Sequence, residues 1–213
     1  MNEMKELYKA DSIKYNQAEA EVKAAELLKQ VENLYAIKKI TRQNSYDAGH
    51  TGETNSRAET LTEKLLAIAL FNSKKEYEHI GKIFDYEVPL KDSNEDKGVG
   101  KIDLVAKNDN IVTLLELKVE NSKETLLRCV LEVFTYWKIL DHEKFLQDFK
   151  LSQDTIIKKA VLVFENSTAC SQYKDKKNSV NTLALMEKLD VELFVLKNID
   201  EDNYKVTKPC SMD

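Results

Sequence analysis

Between residues 14 and 40 the apolar positions Ala20, Ala24, Leu27, Val31 and Leu34 recur at alternating spacings of four and three, with Glu and Lys between them. That spacing predicts one long amphipathic helix. Its stripe suits packing on the domain that follows, or a homodimer seam, for which the heptad run is short. Lys38-Lys39-Ile40-Thr41-Arg42 closes the helix as a basic end suited to the helix dipole or to phosphate. Residues 42–56 are polar, contain two glycines and read as a linker. The chain therefore divides into an N-terminal helix with linker, 1–56, and a domain, 57–213.

Ser56, with Glu59 three residues on, predicts a capped helix from Arg57 to about Phe71, with Ala58, Leu61, Leu65 and Ile68 on one face. The period then changes. Ile83–Leu90, Lys101–Lys107 and Ile111–Val119 read as strands, the last two joined by the turn Asn108-Asp109-Asn110. Ser122 opens an amphipathic helix to about Leu140, and a shorter one covers 143–150. Ile157–Phe164 and Val191–Leu196 are unbroken apolar strands around a helix at 178–189, as buried parallel strands require. The order predicts a mixed α/β layer fold.

Composition narrows this picture only a little. Two prolines and five glycines in 213 residues favour long regular elements over a turn-dense all-β fold. No apolar run approaches the roughly 18 residues that span a bilayer, so no membrane contact is expected. Cys129, Cys170 and Cys210 show no close pairing, as in a reducing, cytoplasmic setting. No Cys or His pair has zinc spacing, and there is no phosphate-binding glycine loop and no GxSxG. His50, His79 and His142 are scattered, and Trp137 beside Tyr136 reads as core packing. The net charge of -5 argues against a surface that is basic throughout, but 32 Lys and Arg leave room for a local basic groove.

The hairpin carries the chemistry. With its turn at Asp109-Asn110, Asp103 faces Glu116 and Lys101 faces Lys118, all four on one side. The other side holds Ile102, Leu104 and Ala106 against Leu115, Leu117 and Val119, and must be core. Two carboxylates on adjoining strands repel each other and are costly to bury. A hard divalent cation with oxygen ligands removes both costs and can activate water. A lysine two residues past the acid can orient that water or neutralise developing charge. The bland alternative is a surface of ordinary charge pairs, since Glu-x-Lys alone carries little information.

Gly100-Lys101-Ile102-Asp103-Leu104-Val105 followed by Leu114-Leu115-Glu116-Leu117-Lys118-Val119 resembles the core motif of the PD-(D/E)XK nuclease superfamily. The resemblance covers about residues 57–196 in order of elements. It implies a restriction-endonuclease-like αβββαβ core with a mixed central sheet flanked by helices, here with an N-terminal helical arm. It implies Mg2+ or Mn2+ held by Asp103, Glu116, the Leu117 carbonyl and a helix acid, Glu59 or, one turn on, Glu63. Lys118 would act on the attacking water or the scissile phosphate. Arg128, Glu132 and Tyr136 line one helical face where the family often places Gln and Tyr, and Lys101 would support them. Arg128 would reach phosphate or pair with Glu132. Ile102 stands where the family has its proline, and Glu132 where it has glutamine. The implied activity is hydrolysis of phosphodiester bonds in nucleic acid, DNA before RNA. The alternative is an inactive nucleic-acid- or protein-binding module on the same fold, dimerising through the N-terminal helix.

Overall fold

The apolar strand segments assemble into one seven-stranded sheet in chain order, β1 (Glu76–Tyr77), β2 (Gly81–Pro89), β3 (Lys101–Asn108), β4 (Ile111–Leu117), β5 (Ile156–Phe164), β6 (Glu192–Asp200) and β7 (Asn203–Thr207). The computed structural model describes residues 7–52, 62–92, 100–200 and 203–209. Strands β4, β5 and β6 are parallel, and the remaining neighbours are antiparallel. The chain is thus mixed α/β, as its pattern predicts. Among the described residues no helix is long and apolar enough to cross a membrane.

Helices cover both faces because the parallel strands are apolar on both. Helix α1 is Asp11–Lys14, α2 Gln17–Lys29, α3 Val31–Tyr35, α4 Glu63–Asn72, α5 Leu126–Ile139, α6 His142–Asp148, α7 Thr168–Lys174 and α8 Val180–Lys188. Val112 and Leu114 of β4 and Val161 and Val163 of β5 meet Leu127, Val130, Leu131 and Phe134 of α5 in one core. The alternate residues Leu115, Leu117, Ala160 and Leu162 meet Leu66, Ala67 and Leu70 of α4 in the other. β1, α7 and β7 go beyond the predicted elements. β1 has two residues and α7 is the short polar-rich TACSQYK, so neither carries a clear period.

The single helix expected over 14–40 is three. Asn16 interrupts it, its side chain accepting hydrogen bonds from the amides of Ala18 and Glu19 and so capping a new start. Gln30, at φ -130° and ψ 29°, breaks it again. Ala20, Ala24, Leu27 and Leu34 are buried in the core that contains α5, so the stripe that a dimer seam would use is occupied within the chain. Helix α2 lies on α8, whose N-cap Ser179 makes no side-chain cap. Glu21 supplies one across the interface, accepting from the amides of Asn181 (2.8 Å) and Thr182 (3.0 Å). In the linker, Arg42 is buried rather than solvated and donates to the carbonyls of Lys91 and Ser45.

The helix expected from Arg57 is described from Glu63, with Thr62 as N-cap to the amide of Leu65; Ser56 and Glu59 lie outside the described residues. The helix expected from Ser122 begins at Leu126. Thr125 takes the cap by accepting from Arg128 N, while Ser122 is held in the preceding turn by a bond from its amide to the Val119 carbonyl.

Ala24 is fully buried. Ala24→Leu should therefore cost about 1–3 kcal/mol through overpacking, read as a lowered urea midpoint at unchanged slope. An unchanged midpoint would mean that α2 does not pack as described.

Candidate metal centre

The hairpin has the register its turn predicts, with Leu104 opposite Leu115 and Asn108 opposite Ile111. Beyond Leu104 the strands part. Where Asp103 comes level with Glu116, a side chain replaces the ladder, and Asp103 Oδ2 accepts from the Leu117 amide at 2.8 Å. The Lys118 amide turns to the Leu162 carbonyl of β5. Glu87, between the pairs Tyr86–Leu104 and Val88–Ile102, has φ +45°. This left-handed residue kinks β2 beside Asp103. Two expectations fail for that reason. Ile102 packs with Val88 in the α5-side core rather than with Leu104 and Ala106. Lys101 is exposed, 3.4 Å from Glu87, and does not face Lys118.

Lys118 is 5% exposed and sits at the centre of the cluster. Its Nζ lies 2.6 Å from Glu116, 3.2 Å from Glu124, 3.4 Å from Glu63 and 3.9 Å from Glu132. Three elements and a loop meet here: Glu116 is one residue from the end of β4, Glu63 opens α4, Glu132 projects from α5, and Glu124 lies in the loop before the α5 cap. Of the two helix acids considered, Glu59 is not described and Glu63 reaches the lysine. Tyr136 donates to Glu132 Oε1 at 2.8 Å. Gly100 lies so close to the Tyr136 hydroxyl that a Cβ would collide with it. Arg128 does not pair with Glu132. It pairs with Glu124, 3.1 Å away, and donates to the Tyr8 carbonyl, because the Glu132 carboxylate is turned toward Tyr136 and Lys118.

Carboxylates outnumber cations in this cluster, and the acids respond. Burial, countered by Lys118 and the Leu117 amide, lifts Asp103 to about 7. Burial, then Asp103 and Glu132, raises Glu116 well above its ordinary value. Burial alone would lower Lys118, but Glu116 and the surrounding groups more than reverse that and hold it well above the usual lysine value. Burial pushes Glu124 up, yet Lys118 and Arg128 together hold it below the usual carboxylate range. The cluster thus keeps a fixed ammonium and retains protons on acids near neutrality.

Among the described residues no three His, Cys, Asp or Glu side chains are arranged to hold an ion as they stand. By chemistry the donors fit a hard divalent cation. They are oxygens in excess over cations, and the buried Oε2 atoms of Glu124 and Glu132 accept no hydrogen bond despite the ion pairs around them. Lys118 Nζ is the cation that stands among them. The Leu117 side chain is core. Clefts of about 240 and 520 Å³ open on either side of Glu63. Thr62, Lys64, Ala67, Glu87 and Asp103 line the first, and Tyr15, Ser122, Lys123 and Glu124 the second.

Glu124 and Tyr8 escaped the sequence reading. The i,i+4 spacing of Glu124 and Arg128 was the available signal for the first. For Tyr8 there was none, since its contact spans 120 residues. His50 also gains a partner, with Nδ1 2.8 Å from Asp85 Oδ1. No protein-family model, curated protein or solved structure matches this chain.

Asp103 titrates at about 7 in the folded chain against an ordinary 3.8. The folded state binds the extra proton between those values, so this group's stabilisation is present below about pH 4 and is lost as pH rises through about 7. Without added metal, Asp103→Asn should therefore gain on the wild type in urea melts from pH 4 to 7. The gain should be at most about 1.4 kcal/mol per pH unit. Parallel pH profiles would show that burial does not raise Asp103.

Proposed function

We propose that the chain is a metal-dependent nuclease that hydrolyses phosphodiester bonds, DNA being the favoured substrate, on a restriction-endonuclease-like core. The observation that carries this reading is the surplus of carboxylate around the buried Lys118 at the end of β4. Further support comes from the succession α4, β2, β3, β4, α5, β5, which is compatible with an αβββαβ plan, although β1 and α6 fall within it and α7, α8, β6 and β7 extend beyond it.

Asp103 and Glu116, with Glu63 and the Leu117 backbone, would hold Mg2+ or Mn2+. When bound, the ion would acidify a water and neutralise phosphoryl charge. The chain's own groups do the rest. Lys118 is held protonated by its neighbours, so it serves as a positive charge for the scissile phosphate or a donor that aims the water, not as a base. Tyr136 fixes Glu132, and Glu132 with Glu124 keeps Lys118 in place. The cleft containing Asp103 gives the phosphate a way in.

The second reading, a binding module without activity, draws on one observation: Lys118 already occupies the centre of the acids and pairs with four of them without metal.

Calorimetric titration of Mn2+ into the wild type and Asp103→Ala, with cleavage of single- and double-stranded DNA in parallel, separates the two. The nuclease reading expects binding and cutting by the wild type and loss of both in the variant. Lys118→Met should still bind Mn2+ but cut about 100- to 1,000-fold more slowly. Absence of Mn2+ binding by the wild type would leave the binding module as the better account.

A further inference from the structure

Tyr15 is a large aromatic left 62% exposed, and it stands on the wall of the cleft that leads to Glu63 and Glu124. Both acids touch Lys118, so this cleft adjoins the centre described above. Tyr15 falls in the break between α1 and α2, where Asn16 caps the next helix. The backbone just before it is tied to the start of α5, since Thr125 donates its amide to the Lys14 carbonyl (3.0 Å) and its hydroxyl to the Ile13 carbonyl (2.6 Å). Lys14 places its ammonium 4.9 Å from the ring centroid and 3.7 Å from Glu124 Oε1. Lys123, also on this cleft, is exposed and makes no ion pair with any described residue.

An exposed ring beside two lysines on a cleft is a fitting surface for one chemistry, a planar base on a phosphodiester backbone. The ring offers a stacking face and the ammonium groups meet the phosphates. A base inside a duplex has both faces covered by its neighbours, so only an unpaired base can take the ring. We infer that Tyr15 is a stacking platform for single-stranded nucleic acid, holding an unpaired base while Lys14 and Lys123 hold flanking phosphates. This rests on the nuclease reading only for its destination, the centre at Lys118; the platform itself is a binding site. Stacking is indifferent to base identity, so the site selects strandedness rather than sequence.

The test is fluorescence anisotropy of labelled oligonucleotides, dT12, U12 and a 12-base-pair DNA duplex, with the wild type, Tyr15→Ala and Tyr15→Phe. Ca2+ replaces Mg2+, and melting curves check that the exposed position leaves folding intact. The expected result is tighter binding of single strand than of duplex. Tyr15→Ala should weaken the single strand by about 5- to 100-fold, the range of one base–aromatic stack, and Tyr15→Phe should bind as the wild type. Comparable affinities for dT12 and U12 are expected, since the ring does not read the sugar. Unchanged binding by Tyr15→Ala, equal losses for single strand and duplex, or no binding of either oligonucleotide by the wild type would overturn the inference. Mn2+ calorimetry on the same proteins keeps the two ideas apart. Metal binding with an unaffected Tyr15→Ala removes the platform and leaves the nuclease. Strand binding through Tyr15 without metal binding removes the nuclease and leaves the platform.

Discussion

One ammonium group governs the architecture around the end of β4. Lys118 Nζ has four carboxylates within 4 Å and is almost wholly removed from water. A buried charge is tolerable only when paired, and a buried surplus of one sign is tolerable only when protons or another cation make up the difference. Here the acids take up protons. Such an arrangement costs stability that a hydrophobic cluster would not, and conflicts of this kind concentrate where a protein does its chemistry. The same lysine draws acids from β4, α4, α5 and the loop before α5 to one point.

The N-terminal segment belongs to this arrangement. Tyr8 gives its carbonyl to Arg128 and its ring to Tyr136, with centroids 5.9 Å apart. Thr125 ties the end of α1 to the start of α5. Two residues of α5, Arg128 and Tyr136, and its cap Thr125 are thus supported by chain more than a hundred positions earlier. One wall of the larger cleft, at Tyr15, comes from sequence that reads, by period alone, as a peripheral arm.

The parts legible in the sequence are those written in local pattern. The strands and their hairpin register followed from alternation and one turn, and that register placed Asp103 level with Glu116. The helix starts were less legible. Ser122 and Thr125 are equally good caps by type, and only the turn at Val119 decides between them. The break at Asn16 was hidden because Asn in an amphipathic pattern reads as another polar position. Ile102 was assigned to the wrong core because strict alternation does not anticipate a left-handed residue on the neighbouring strand. Arg128 had two acids at i,i+4 spacing, Glu124 before it and Glu132 after it, and its partner was decided by Tyr136 and Lys118, which no spacing rule sees. Tyr8 lies beyond any local pattern.

The tight turn at the far end of the hairpin has its own consequence. Asp109, at φ +52°, closes it, and every pairing from Asn108–Ile111 to Leu104–Leu115 is counted from that point. Side chains alternate along a strand, so one residue added to this turn would slide β3 by a step and deliver the neighbour of Asp103, not Asp103, to the carboxylate cluster. Six residues of extended chain separate the two, roughly 20 Å at strand rise. The loop is therefore the ruler of the cluster: length variation there, ordinarily harmless in a surface hairpin, rearranges the carboxylates around Lys118 at a distance, and related chains that keep the cluster should keep the length of this turn.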